Sequence, residues 1–233
     1  MCGRFTRRFS WSEIHRLLSL TQTFQFTFAP AYNVAPTQES PILRADPAAQ
    51  RVLELARWGL VPHWAKDTTI ASRLVNARAE TILEKPAFRA SMQSNRCVVP
   101  ISGFYEWKKI GDGKQPWYIS RADGQPMLLA GLRDDWHGGQ SPLTTFAIAT
   151  TSANDFMARL HDRMPAILEP EQVAAWLNPA TPPDTAAAML RPAPDGILAG
   201  HPVSTLVNNP RNQGEELIRE VPAAGPDSGL LFG

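Results

Sequence analysis

The second residue of the chain is one of only two cysteines, and it stands in the opening stretch MCGRF. If Met1 is removed, Cys2 carries two adjacent nucleophiles, its α-amine and its thiol. Their reference pKa values, about 8 and about 8.5, leave both groups partly deprotonated near neutral pH. The amine can form an imine with an aldehyde, and the thiol can then close on the imine carbon to give a thiazolidine. An internal cysteine cannot form this ring; the alternative is a cysteine without a chemical role.

A glutamate is embedded among aromatic residues in SGFYEWKK, residues 102–109. On a strand, Glu106 shares a face with Phe104 and Lys108, and Tyr105 and Trp107 lie on the other face. Bulky neighbours desolvate such a carboxyl, which suits it to general acid–base catalysis. The alternative is a glutamate at the rim of a sheet, paired with a lysine or an arginine.

The segment LVNARAET, residues 74–81, places three polar residues on one face if it is extended: Asn76, Arg78 and Glu80. An asparagine both donates and accepts hydrogen bonds, so it can orient a substrate or a catalytic amine. The guanidinium of Arg78 can hold a phosphate or pair with a carboxylate. The alternative is an ordinary transition from loop to helix in which Asn76 is the cap.

A histidine and an arginine stand two positions apart in HDRMP, residues 161–165. His161 carries the side chain best suited to proton transfer at physiological pH, although a lone histidine can equally be structural. Arg163 is its charged neighbour. The other four histidines show no ligand spacing, so the sequence predicts no metal site.

Two tryptophans occur in RWGLVPHW, residues 57–64. We expect Trp58 to be buried in a core strand. Trp64 follows a proline in a polar loop, so its ring is the better candidate for an exposed surface on which unpaired bases stack.

Short strands and short helices are mixed along the chain without a regular βα repeat. This mixture predicts an α+β fold with a curved or barrel-like sheet. A helix is expected to start near Ala79 and end before Pro86, and Pro100 is expected to separate two strands. The remaining predictions are a capped helix from Ser10 to Leu18, strands over 39–44, 51–61, 127–136, 144–151 and 165–168, a hairpin turning at 111–114, and helices within 152–160 and 170–177.

The composition is that of a soluble globular protein, with 43% hydrophobic and 19% charged residues among 233. We predict one domain over 1–221, a flexible tail over 222–233, a monomer and no cofactor. No run approaches ~18 apolar residues, and no apolar leader is present, so neither a membrane helix nor a signal peptide is expected. Two cysteines do not make a disulfide framework, which favours the bacterial cytosol. The net charge of +1 gives no global sign of nucleic-acid binding.

Several motifs occur together and in order: MCGRF, YNVAPTQ, RWGLVPHW, NARAET, RCVVPISGFYEW, TTSAN with HDRMP, and VNNP. In this combination the chain resembles the SOS response-associated peptidase (SRAP) family. The resemblance implies recognition of abasic sites in single-stranded DNA and covalent attachment to them as a thiazolidine, which shields the lesion from strand cleavage.

The resemblance also implies which residues act. Cys2 is the nucleophile, and Asn76 positions its amine and the opened sugar. Glu106 is the acid–base group, and His161 donates the proton that helps to open the deoxyribose. The DNA contacts that it implies are Arg4, Arg78, Arg163 and Trp64.

Three other functions compete with this interpretation. A cysteine peptidase would use the same Cys2, Glu106 and His161. A non-catalytic DNA-binding module would tolerate the loss of the thiol. A glutamine amidotransferase with an N-terminal nucleophile also begins Met-Cys-Gly, but its RGPD-type and NGE-type substrate motifs are absent from the expected region.

Overall fold

A computed structural model of the chain describes residues 2–18, 20, 29–46 and 48–223. Within these ranges the strands are β1 Phe5–Arg7, β2 Ala31–Val34, β3 Glu39–Ala45, β4 Arg51–Trp58, β5 Asn76–Arg78, β6 Arg96–Ile101, β7 Gly103–Ile110, β8 Gly113–Arg121, β9 Met127–Trp136, β10 Leu143–Ser152, β11 Arg163–Pro165, β12 Ile167–Leu168 and β13 Leu198–Pro202. The helices are α1 Trp11–Leu17, α2 Pro86–Ser94, α3 Asp155–Ala158, α4 Pro170–Leu177 and α5 Pro183–Ala187, with 3₁₀ turns at Thr69–Arg73, Ala79–Thr81, Thr205–Asn208 and Glu215–Ile218.

Five strands close into a barrel, in the order β4, β3, β6, β9 and β10. Strand β10 completes the ring because it pairs with β9 in antiparallel fashion and with β4 in parallel fashion. The predicted α+β fold with a barrel-like sheet is therefore confirmed. Strands β11, β12 and β5 extend this sheet at β10 and β9.

Alternate residues of a barrel strand enter two different apolar clusters, which explains why β6 reads as a continuous apolar run. Val98 faces the cluster formed with α2 and α4, where Trp176 is fully buried. Cys97 and Val99 face the other cluster, which also includes Phe104 of a second sheet. That sheet has the order β13-β8-β7-β1-β2 and carries the beginning of the chain.

Local signals located most of the predicted elements. Ser10 caps α1 through a capping box with Glu13, Asn154 caps α3, and Pro170 begins α4. Gly111 and Asp112, within the predicted 111–114, form the turn that joins β7 to β8, with Ile110 opposite Gly113.

The predicted helix from Ala79 to the residue before Pro86 is wrong. Ala79–Thr81 is a single 3₁₀ turn, and Pro86 is the first residue of α2. Proline suits that position because its missing N–H would have no partner in the first turn, and its fixed φ already matches a helix.

The expected break at Pro100 is also wrong. Strand β6 continues through Pro100, which lies opposite Leu128 on β9. The chain instead passes to the second sheet at Ser102, whose N–H donates to Thr6 O over 2.8 Å and whose Oγ accepts from Arg8 N over 2.8 Å.

No helix within the described ranges is long and apolar enough to cross a membrane. Most of the predicted tail, residues 224–233, lies outside the described residues, so the tail and its boundary at 221 stay predictions.

Candidate active site

Strand β1 carries Cys2 into the interior. Phe5 pairs with Phe104 on β7, and Tyr105 N donates to Arg4 O over 3.0 Å. Extending this antiparallel register by two residues places Gly3, the residue after Cys2, opposite Glu106. Cys2 is fully buried, in the same apolar cluster as Phe5 and Phe104.

Asn76 joins Cys2 from the barrel. Strand β5 lies parallel to β10, with Asn76 opposite Ile148, and this pairing aims the amide at the start of the chain. Its Nδ2 donates to Cys2 O over 3.0 Å. Its Oδ1 is buried and has no hydrogen-bond partner in the described part of the chain. The free oxygen can accept from a donor that is not part of the described protein.

Glu106 approaches Cys2 from β7. As predicted, it shares a strand face with Phe104, whereas Tyr105 packs into a separate cluster on the opposite face. The carboxyl is only 4% exposed, and its Oε1 accepts from Trp107 N over 3.2 Å. Burial and, second, the charge of Glu106 raise the pKa of the Cys2 thiol to about 12. The thiol is therefore neutral at physiological pH, and it lies within the electrostatic influence of Glu106.

His161 lies at the end of α3, where its N–H donates to Met157 O over 2.8 Å. Its Nδ1 accepts from Arg163 N over 3.0 Å and lies 2.7 Å from Asp162 Oδ1. Arg163 N–H suits a neutral ring whose proton is on Nε2, whereas the carboxylate of Asp162 suits a charged ring with a hydrogen on both nitrogens; Nε2 carries a hydrogen in each of these two states. No hydrogen bond of the described residues joins His161 to Cys2 or Asn76, so the structure brings together three of the four predicted catalytic side chains directly.

The three arginines predicted to contact DNA differ in whether their guanidinium groups already form hydrogen bonds within the protein. Arg163 forms two bonds with Glu80, at 2.6 and 2.9 Å, and a third with Thr150 O at 2.8 Å. Arg4 is also engaged, as described below. Arg78 is exposed, and the charge of its guanidinium helps to lower the pKa of Glu80, although the hydrogen bond from Arg163 contributes most. Arg78 therefore has the guanidinium most available to a phosphate.

Asn33 is a residue that the sequence analysis missed. Its Nδ2 donates to the carbonyls of Val207, Asn209 and Asn212 at 3.0 to 3.2 Å, and its Oδ1 accepts from Arg4 over 2.7 Å. Arg4 also donates to Val207 O and Asn208 O. We call this network the Asn33 clasp. The signal for it was present, because YNVAP and VNNP are the two motifs that the clasp joins.

The two tryptophans behave as predicted: Trp58 is fully buried, and Trp64 is 51% exposed. The turn that carries Trp64 is closed by a bond from Ala65 N to Pro62 O at 2.8 Å. Trp136 of β9 fixes the turn through a bond from its Nε1 to Ala65 O at 2.8 Å. The exposed ring is therefore attached to a firmly held loop.

Among the described residues, no three His, Cys, Asp or Glu side chains are grouped so that they could hold a metal ion. The polar groups at Cys2 are instead an amide and a carboxyl, which suits proton transfer and covalent chemistry.

The protein combines a closed barrel with a second sheet, and a buried cysteine at position 2 lies near an amide and a carboxylate. These features define a class of α+β protein with a candidate thiol-dependent site. Residues 1–210 match the SOS response associated peptidase (SRAP) family. The chain belongs to this family.

Named relatives cover most of the chain. The abasic site processing protein YoaM of Bacillus subtilis is 42% identical over 222 residues, covering 94% of this chain and 97% of YoaM. The abasic site processing protein YedK of Escherichia coli is 32% identical over 227 residues, covering 95% and 100%. A crystal structure of a protein from Bacteroides thetaiotaomicron has a TM-score of 0.84 at 26% identity, covering 94% of this chain and 100% of that one.

Proposed function

We propose that this protein recognises abasic sites in single-stranded DNA and binds them covalently, as a thiazolidine formed by Cys2 once Met1 has been removed. The observation that carries the proposal is the hydrogen bond from Asn76 to the carbonyl of Cys2, in a site that also holds a buried Glu106. The names of the relatives, abasic site processing proteins, support the choice of substrate. Such a substrate places the protein with DNA in the cytosol, where it would act as a monomer.

The chemistry joins an aldehyde to an aminothiol. The abasic deoxyribose opens to its aldehyde, and the Cys2 amine attacks C1′. Loss of one water gives the imine, and the thiol adds across the C=N bond while its proton moves to nitrogen. The net change is aldehyde plus Cys2 giving thiazolidine plus water, and no oxidant or metal is required. Because both nucleophiles belong to one residue, the second step is intramolecular.

Trapping by the thiol changes the fate of the imine. An untrapped imine acidifies the C2′ protons of the sugar, and β-elimination then breaks the strand. Ring closure removes the C=N bond and with it this route. The thiol therefore converts a strand-breaking intermediate into an adduct that protects the DNA.

Glu106 acts as the base in this scheme. Its carboxylate accepts a proton from the Cys2 ammonium before attack and from the thiol during ring closure. The high pKa of the thiol fits this order, since the thiol stays protonated until a base removes its proton in the site. Asn76 holds the backbone of Cys2, and its unsatisfied Oδ1 is available to the amine or to the sugar hydroxyl.

His161 supplies the proton that opens the sugar ring. With Nδ1 held between Arg163 N–H and Asp162 Oδ1, the imidazole presents a donor at Nε2. Arg78 binds a phosphate, and Trp64 stacks on a base near the lesion. Arg4 and Arg163 are the other two proposed DNA contacts, although Arg4 also holds the Asn33 clasp and Arg163 also pairs with Glu80.

A cysteine peptidase that uses Cys2 with Glu106 and His161 is the second candidate, and the family description names that activity. A peptidase of this kind requires a thiolate. Burial and the neighbouring carboxylate oppose that state at Cys2, because both raise the thiol pKa. The same two features are compatible with a thiol that reacts only after an imine has formed.

A denaturing gel tests the proposal. The Met-processed protein is incubated with single-stranded DNA that contains one abasic site, and a band of slower mobility is expected. Cys2→Ala should abolish the band, and Cys97→Ala, which removes the other buried thiol, should retain it. No band from the wild type, together with cleavage of a peptide, would favour the peptidase. Retention of Met1 should also block the reaction, so a full yield from the Met1-containing chain would refute the thiazolidine.

A further inference from the structure

An exposed histidine next to Trp64 is held by a buried carboxylate. His63 Nδ1 lies 3.0 Å from Asp134 Oδ2, and the same oxygen accepts from His63 N over 2.9 Å. The side chain of His63 is 56% exposed, whereas that of Asp134 is 7% exposed. The other carboxylate oxygen accepts from Asp135 N over 3.0 Å. The scheme above assigns no role to this pair.

The protonation of the outward nitrogen follows from this geometry. Because Nδ1 faces a carboxylate oxygen, it carries a hydrogen in both the neutral and the charged ring. The neutral ring therefore presents a lone pair at Nε2, and the charged ring presents an Nε2–H donor. Within the described part of the chain, Nε2 makes no hydrogen bond. Because the side chain is 56% exposed, this nitrogen is available to solvent or to a ligand.

Strand β9 fixes the turn from two positions. Asp134 holds His63, and Trp136 holds Ala65 by its bond to the carbonyl oxygen. His63 and Trp64 are therefore both presented to solvent from a turn that is ordered before any ligand arrives. Preorganised groups lose little conformational entropy on binding.

The turn lies within reach of the same strand of DNA as the candidate active site. Val61 N donates to Thr145 Oγ1 on β10 over 2.9 Å, and Asn76 pairs with Ile148 three residues further along β10. At ~3.3 Å per residue, the two levels are about 10 Å apart. That length is spanned by a few nucleotides of one DNA strand.

We propose that His63 is a further DNA-contacting residue, whose charged Nε2–H, oriented by Asp134, binds a backbone phosphate beside the base that stacks on Trp64. This inference rests on the proposed function. A charge-assisted bond to a phosphate oxygen is among the stronger hydrogen bonds. It exists only when the ring is protonated, and histidine changes charge between roughly pH 5 and pH 8.

The other charged groups near the turn are carboxylates and basic side chains whose reference pKa values lie well outside that range. Lys66 and Asp67 follow His63 in the same loop, and Asp67 Oδ1 accepts from Thr69 N over 2.8 Å. On β9, the neighbours of Asp134 are Arg133 and Asp135, which pair with each other. Of these groups, His63 is the one whose side-chain type can change charge near neutral pH.

The test measures the binding of fluorescently labelled single-stranded DNA that carries a tetrahydrofuran abasic analogue. This analogue has no aldehyde, so crosslinking cannot contribute. Anisotropy titrations at 50 to 200 mM salt give the salt slope at pH 6 and at pH 8. His63→Gln should make the slope shallower by about 0.7 at pH 6, as expected for one lost contact to a single strand, and should have little effect at pH 8. His63→Arg should keep the steeper slope at both values. His15→Gln on α1, which removes a histidine elsewhere, should match the wild type.

A second variant tests the orienting role of Asp134. Asp134→Asn removes a negative charge, which by itself should strengthen DNA binding. We expect it to weaken binding at pH 6 instead, because an uncharged amide oxygen no longer favours the protonated imidazole. Thermal melting establishes that the variant is folded. Three results would each overturn the proposal. The first is tighter DNA binding by folded Asp134→Asn, and the second is a salt slope for His63→Gln equal to that of the wild type at pH 6. The third is the absence of wild-type binding to the analogue. Failure of the wild type to crosslink true abasic DNA refutes the proposed chemistry instead and leaves the analogue result standing.

Discussion

Replacing Glu106 with glutamine should change two properties of Cys2 in opposite directions. Glutamine keeps the size of the side chain and can still accept from Trp107 N, but it carries no charge. The thiol should become more acidic, because one of the two causes of its raised pKa is gone. Crosslinking should nevertheless become slower, because the base has been removed.

The size of each effect follows from the site. The thiol pKa is raised from 9.0 to about 12, with burial as the larger cause. If Glu106 accounts for at most roughly half of that rise, its loss increases the thiolate population by at most about 30-fold. A positioned base contributes about 10²- to 10⁴-fold to a proton-transfer step. The loss of the base therefore outweighs the gain in thiolate, and the net rate should fall at least about threefold.

Two measurements separate the effects. Single-turnover appearance of the covalent band gives the crosslinking rate. The pH profile of iodoacetamide alkylation, read by mass spectrometry of the N-terminal peptide, gives the acidity of Cys2, and its midpoint should move down. Glu39→Gln, the same substitution at an exposed position in β3, should change neither quantity.

Faster crosslinking by Glu106→Gln would refute the assignment of Glu106 as the base. It would mean that the supply of thiolate limits the reaction and that the carboxylate only suppresses it. An alkylation midpoint that does not move would refute the electrostatic contact between Glu106 and the thiol.

Three further predictions follow from contacts described above. Asn76→Ala loses the 3.0 Å bond to Cys2 O, worth about 1 kcal/mol, so crosslinking should slow by about fivefold while affinity for the tetrahydrofuran analogue stays within twofold; an unchanged rate would contradict the positioning role. Arg163→Ala should lower the free energy of unfolding in urea by about 1–3 kcal/mol, because it leaves Glu80 and Thr150 O without their partner. Arg78→Ala should leave the free energy of unfolding unchanged and make the salt slope of DNA binding shallower by about 0.7. The reverse pattern would exchange the roles of the two arginines. Burial raises the pKa of both thiols, so the folded protein keeps protons that the unfolded chain loses above about pH 9. Between about pH 9 and about pH 12, the free energy of unfolding should therefore fall by up to roughly 1.4 kcal/mol per pH unit for each thiol. Cys97→Ala should make this slope shallower, and a free energy of unfolding that does not change with pH would contradict the burial of the thiols.

The parts of the fold that depend on neighbouring residues could be predicted from the sequence. The alternation around Glu106 correctly separated the face shared with Phe104 from that of Tyr105, and the residues at 111–114 located a hairpin. The contrast between Trp58 and Trp64 was also accessible, because a proline and a polar loop precede the second ring. The two proline errors have different origins: Pro86 begins α2 instead of following a helix, and Pro100 is accommodated inside β6, where it lies opposite Leu128.

Long-range pairings could not be predicted in the same way. The parallel contact between β10 and β4 closes the barrel, yet no local pattern distinguishes parallel from antiparallel partners. The partner of Arg163 is Glu80, 83 residues away, and a guanidinium looks equally suited to a carboxylate or a phosphate in sequence. The family resemblance named the proposed reactive residues, whereas the contact between Asn76 and Cys2 came only from the structure.

The Asn33 clasp has a consequence for the order in which the protein is made. Arg4, two residues after Cys2, reaches its partners at Val207 and Asn208 across more than 200 positions of the chain. At about 5–20 residues per second, the ribosome needs roughly 10 to 40 s to supply that stretch. During this interval the start of the chain cannot form the clasp. Any enzyme that trims the chain ahead of Cys2 has its opportunity then, before the last strands arrive and the residue is closed in.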